Sequence, residues 1–231
     1  MSTIIGILQA IGIFAAGVAA RLGFVLLAAA VILVPALLIW AGMRGVEWAR
    51  RRAQGLQLTG GLRFRPGLLY AAGHTWVRPE KGQARVGIDD LAQRILPWAV
   101  SVRLPKPGTS LHAGEPAAII SAGGQQAVIA APLDGTVIAV NGEVVLAPAL
   151  VKSDNYARGW LFAMKPASDR LEGLRAGEAA RDWMGAEGNR LHRWLEGRLG
   201  IATADGGEIV DPVASHLSPD DWKALTETFL R

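Results

Sequence analysis

The chain has 231 residues, of which 51% are hydrophobic, and a formal net charge of +4. That is room for one ordinary globular domain with additions at its ends. It contains no cysteine, which excludes disulfides, thiolate nucleophiles and iron–sulfur or zinc–thiolate centres; the charge surplus is too small to argue for nucleic acid, and no such partner is expected.

In chain order, residues 1–43 read as a membrane anchor. Leu22 to Met43, LGFVLLAAAVILVPALLIWAGM, is uncharged and long enough to cross a hydrocarbon core of roughly 30 Å as a helix, so a transmembrane helix is expected over 22–43. A second apolar run, Ile4 to Ala20, precedes it; its reading stays open between a second span, an interfacial helix and the start of one long helix. Residues 44–63 then read as a basic juxtamembrane linker, with Arg44, Arg50, Arg51, Arg52 and Arg63 against the single acid Glu47. The positive-inside rule places everything after residue 43 on the cytoplasmic side, so the expected location is a membrane with a cytoplasmic soluble domain.

Residues 64–167 change to short apolar runs broken by glycine and proline, a β-rich pattern. Strands are expected over Thr75–Arg78, Gln83–Gly87, Ala99–Leu104, Ala117–Ser121, Ala127–Ala130, Gly135–Val140, Val144–Leu146 and Trp160–Met164. A short helix is expected over Asp89–Ile95, with Asp89 or Asp90 as its cap. There is also an internal echo. Pro105-Lys106-Pro107-Gly108-Thr109 is followed by Gly114-Glu115, and Pro132-Leu133-Asp134-Gly135-Thr136 by Gly142-Glu143. Each copy sets a Pro-x-x-Gly turn before a strand, as in a small barrel built from two interlocked β units.

Between the echoes lies IISAGGQQAVIAAPLDG, residues 119–135, which reads as a hairpin whose tip is Gly123, Gly124, Gln125 and Gln126. Two glycines suit the positive φ angles of a two-residue connection, but the tip holds no nucleophile, acid, base or metal ligand. Elsewhere His74, His112, His192 and His216 are too dispersed to define a metal site, and none is expected. Ser101, Ser110 and Ser121 lack a nucleophile elbow, and no phosphate loop occurs, so an enzyme is not expected.

Residues 168–231 read as a helical extension. Leu191, Trp194, Leu195 and Leu199 share one helical face. Ser218, Pro219, Asp220 and Asp221 supply a cap, a first-turn proline and two acids for a last helix with Trp222, Leu225, Phe229 and Leu230 as its stripe. Two readings stay open for these faces: packing on the barrel, or a partner-binding face built on Leu191, Trp194, Trp222 and Phe229.

From Tyr70 to Trp160 the chain resembles the H protein of the glycine cleavage system, a lipoyl-carrying family of the barrel-sandwich hybrid fold. The resemblance rests on His74-Thr75-Trp76-Val77-Arg78, Val86-Gly87-Ile88-Asp89 with Ala92-Gln93, Leu104-Pro105 with Gly108, Ala113-Gly114-Glu115, Ala131-Pro132 with Gly135, Val140-Asn141, Leu150-Val151 and Gly159-Trp160-Leu161. It implies a mostly β, lipoyl-domain-like barrel-sandwich hybrid, here with an N-terminal transmembrane helix and C-terminal helices. It also implies lipoate joined by an amide to a lysine at the hairpin tip, the chemistry being the cofactor's. Counted from the flanking motifs, that lysine falls on Gly124, and the family's preceding glutamate on Ser121. Glycine offers no amine, so covalent lipoate is expected to be absent, and with it any cofactor. The leading expectation is a membrane-anchored, non-lipoylated H-protein-like domain, a structural, assembly or docking subunit among the protein subunits of a membrane complex. One alternative is a lipoyl carrier working through another lysine, with Lys106 as its candidate; the other is a membrane-tethered adaptor for a noncovalent ligand.

Overall fold

The computed structural model describes residues 17, 21, 24, 29, 31–45, 55–98, 101–122, 124–168, 171–199, 213 and 217–230. Contacts divide the chain into two units, Met1–Gln54 and Gly55–Arg231. In the first, residues 31–45 form helix α1, exposed along its length. Among the described residues no helix is long and apolar enough to cross a membrane. This gives no support to the transmembrane helix expected over 22–43, of which residues 22–23, 25–28 and 30 lie outside the described residues. The apolar run over 4–20 also lies outside them, apart from Gly17.

The second unit opens with a small antiparallel pair, β1 (Gln57–Thr59) and β2 (Leu62–Phe64), inside the stretch expected as linker; Leu62 is fully buried. Then follow β3 (Leu69–Tyr70), β4 (Thr75–Glu80), β5 (Gln83–Ile88), α2 (Asp90–Ile95), β6 (Ser101–Arg103), β7 (Ser110–Leu111), β8 (Pro116–Ala122), β9 (Gln125–Ala130), β10 (Gly135–Val140), α3 (Gly142–Leu146), α4 (Leu150–Ser153), β11 (Phe162–Pro166), α5 (Gly177–Leu199) and α6 (Pro219–Phe229). One sheet runs β3-β4-β5-β11-β10-β7 and another β6-β8-β9, with antiparallel neighbours throughout. The fold is mostly β and consistent with a barrel-sandwich arrangement.

Alternation explains the strands. On β8 Ala118, Ile120 and Ala122 face inward, and on β9 Ala127 and Ile129 do, while Gln126 and Val128 face out. The two echoed turns interlock: Gly108 N–H donates to the Val137 carbonyl (2.7 Å) and Val137 N–H to that of Thr109 (2.8 Å). Gly114 N–H donates to the Ala131 carbonyl (2.9 Å) and Ala131 N–H to that of Glu115 (2.8 Å). Each unit therefore supplies backbone partners that the other lacks.

The strand expected over Val144–Leu146 is instead α3. Asn141 caps it, its side chain accepting from Glu143 N–H and donating to the Arg158 and Trp160 carbonyls, both at 2.7 Å. Only Val144 of the apolar triplet is buried, so nothing rewards an extended conformation. At α2, Asp89 is the cap, accepting from Ala92 N–H at 3.0 Å, whereas Asp90 pairs with Arg94 at 2.8 Å inside the protein.

Candidate functional site

The β8–β9 hairpin pairs from Pro116 opposite Ala130 to Ala122 opposite Gln125, which leaves positions 123 and 124 as its turn. Gly124 is exposed at φ +82, and a Cβ built on it meets nothing within 4 Å. Gly123 falls outside the described residues. Gln125 is half-buried and Gln126 exposed, and Ser121 lies opposite Gln126 on one side and Ser101 on the other. The described part of the tip offers backbone groups and uncharged amides. It has no amine, so it does not fit a cofactor attached by an amide at position 124.

The chain's lysines lie elsewhere. Lys106 is exposed in a turn closed by Thr109 N–H on its carbonyl (3.1 Å). Lys152 is buried, donating to the carbonyls of Gln93 (2.7 Å) and Leu96 (2.5 Å) at the end of α2, where a cation complements the helix dipole.

Behind the sheet is a charged cluster that sequence reasoning missed. His74 has the positive φ of 55 in the β3–β4 turn and is 1% exposed. Its Nδ1 lies 2.8 Å from Asp89 Oδ2, and its Nε2 lies 3.6 Å from Glu187 Oε2 on α5, an ion-pair distance beyond hydrogen-bond range. The ring stacks on Trp183 (4.9 Å), with Phe229 of α6 tilted at 6.3 Å. Burial pushes the imidazole pKa down, but Asp89 and then Glu187 outweigh it and raise the pKa to about 9. A carboxylate near each nitrogen favours the imidazolium form, and the pair with Glu187 links α5 to the β3–β4 turn. Only the spacing of His74 from Asp89, flanking one hairpin, signalled it; Glu187 is distant in sequence.

The C-terminal residues expected as a partner face turn inward. Leu191 (0% exposed), Phe229 (1%) and Trp222 (5%) belong to the chain's own core, and Trp194 is half-buried under the Arg198 guanidinium, 5.6 Å from its ring. Packing on the barrel accounts for these side chains. His112 lies 3.7 Å from Asp134, and His192 is 3.1 Å from the Gly188 carbonyl; His216 is outside the described residues.

The fold is a mostly β domain that presents the β8–β9 hairpin with an exposed turn. The glycine cleavage H-protein family model matches residues 68–187. The glycine cleavage system H protein of Pseudoalteromonas atlantica is 40% identical over 109 residues, covering 46% of this chain and 84% of that protein. That of Serratia proteamaculans is 44% identical over 106 residues, covering 46% and 82%. A crystal structure of a glycine cleavage system H protein from Mycobacterium marinum aligns with 54% of this chain and 99% of that one, at 28% identity and a TM-score of 0.48. The chain belongs to the glycine cleavage H-protein family. Membership agrees with a non-catalytic role. The relatives are glycine cleavage H proteins and no described helix is long and apolar enough to cross a membrane, which overturns the expected location in a membrane with a cytoplasmic soluble domain.

Proposed function

We propose that the chain is a docking member of a glycine-cleavage-type protein system, presenting an H-protein hairpin without a covalent arm. Gly124 carries this reading: the position expected for the carrier lysine is exposed, has nothing within 4 Å of an added Cβ, and has no amine. What the hairpin retains, backbone groups with Gln125 and Gln126, suits contact with another protein's surface rather than group transfer. The relatives' name, glycine cleavage system H protein, points to other proteins of such a system as partners.

Kinship taken alone favours a second reading, a lipoyl carrier, more than the docking role. It requires an arm on another lysine, and Lys106, exposed in its turn, is the candidate. The intact mass of the natively expressed protein separates the two. The docking role expects the mass of the bare chain. A lipoyl increment overturns it, and loss of that increment in Lys106→Ala assigns the arm to Lys106.

A further inference from the structure

On the β4–β5 ribbon Arg78 and Arg85 are direct cross-strand partners, so both guanidinium groups leave the same face. Arg65, from the segment between β2 and β3, reaches the same place. Its Nη1 and the Nη2 of Arg78 donate to one acceptor, the Tyr156 carbonyl oxygen, at 2.5 and 2.9 Å. Each group is held. Arg78 lies 5.4 Å from the Trp76 ring, Arg85 lies 5.2 Å from the Trp160 ring, and Glu80 holds Arg85 Nε at 3.2 Å.

Charge does not balance there. Like charges set directly opposite across two strands destabilise a sheet, and one carbonyl dipole does not neutralise two cations. Burial lowers the proton affinity of Arg78, Arg65 and Arg85 lower it further, and Glu80 opposes them. Among the described residues Glu80 is the carboxylate ion-paired within this trio. Three guanidinium groups against one carboxylate leave a surplus of two positive charges on half-buried side chains with fixed positions. Each guanidinium has five N–H donors, of which the shared carbonyl takes one from Arg65 and one from Arg78. Fixed forks with spare donors match the oxygens of a tetrahedral anion.

We propose that Arg65, Arg78 and Arg85 form a binding site for a phosphate-class oxyanion, whose charge offsets the surplus. The site is independent of the hairpin and of its cofactor status. Arg65 precedes the residues matched by the family model, so the site joins the shared domain to a segment outside that match.

The test titrates inorganic phosphate into the full chain by calorimetry and by thermal melting, against chloride at equal ionic strength. Saturable binding and a phosphate-specific rise in melting temperature are expected. Arg65→Gln and Arg78→Gln should each weaken binding about tenfold or more, the size of one lost charge-assisted hydrogen bond, while Arg65→Lys, keeping charge without the fork, falls between. Should a glutamine variant fail to fold, the arginine side-chain NMR signals of the unaltered protein give a second readout: those of Arg65, Arg78 and Arg85 should shift with phosphate. Non-saturable binding, a response equalled by chloride, affinity unchanged in both glutamine variants, or shifts confined to other arginines would overturn the site.

Discussion

Glycine occupies the hairpin tip and the seam between α5 and the β1–β2 turn for different physical reasons. At the seam, a Cβ on Gly60 would lie 2.4 Å from the Gly185 carbonyl oxygen, and one on Gly188 would lie 2.2 Å from the Gly60 carbonyl oxygen. Backbone touches backbone there, and any side chain would separate the two elements. At the tip, Gly124 meets nothing, and only its φ of +82 favours glycine. Packing therefore dictates the seam glycines but leaves the tip open to a side chain. The absence of an amine at position 124 concerns chemistry rather than space.

The contrast predicts a seam sensitive to small changes and a tip tolerant of large ones. The largest effect is expected at the charged cluster behind the seam. His74→Ala leaves Asp89 buried and short of its imidazolium, and removing one partner of a buried pair costs about 3–5 kcal/mol. Urea unfolding would show it as a lower midpoint at unchanged slope. A loss under about 1 kcal/mol would mean that the cluster does not hold the helices in place.

The same cluster sets a pH dependence. His74 has a folded-state pKa of about 9 against an ordinary 6.5. Its contribution is therefore fully present below pH 6.5 and is lost as pH rises through 9. The full span is worth about 3 kcal/mol by proton linkage. Glu187, held below its usual range chiefly by its pairing with His74 against a partial burial that raises it, reports the same interaction and adds no separate term. Stability measured across this window should decline toward alkaline pH in the unaltered chain. The decline between pH 6.5 and 9 should be smaller in His74→Ala by the His74 contribution.

Next in size is Gly188→Ala. Alanine gains roughly 1 kcal/mol of helix propensity over glycine, but its Cβ would fall on the Gly60 carbonyl, and overpacking of this kind costs about 1–3 kcal/mol. A net loss of stability is expected, whereas Gly197→Ala on the same helix, with nothing within 4 Å, should be neutral or stabilising. If both substitutions stabilise, α5 does not lie against the β1–β2 turn as described.

The seam also shows where sequence reading stops. Strands with clear alternation, β4, β5 and β10, are legible within two residues of their observed ends, and the caps Asp89 and Ser218 are legible from residue type. Helix α5 is legible only in its second half, on the face of Leu191, Trp194, Leu195 and Leu199; Gly185 and Gly188 break the pattern before it, and their reason is the distant Gly60. In α3 the apolar triplet outweighed Asn141, although the cap carried the better signal. The hairpin and its empty tip are legible from flanking motifs. The His74 cluster is not, since its second carboxylate comes from α5 and only the fold brings it near.

At the tip the expected structural effect is smallest and the chemical effect most informative. Gly124→Lys places an amine on a position where a Cβ meets nothing within 4 Å, and its stability cost should be about 1–2 kcal/mol at most, the price of a left-handed backbone for a side-chain-bearing residue. If the frame is intact and only the amine is missing, co-expression with a lipoate-attaching enzyme should add a lipoyl mass to Gly124→Lys and not to Gly124→Ala, which carries the same backbone strain without the amine. Counted from the flanking motifs the family's glutamate is expected at Ser121, so Ser121→Glu with Gly124→Lys should be modified at least as fully as the lysine alone. Modification of the double variant only would place the loss at two positions. A variant that folds as the unaltered chain yet accepts no lipoate in either form would mean that the hairpin has diverged beyond its tip, and that its surface now serves contacts which an attaching enzyme does not read.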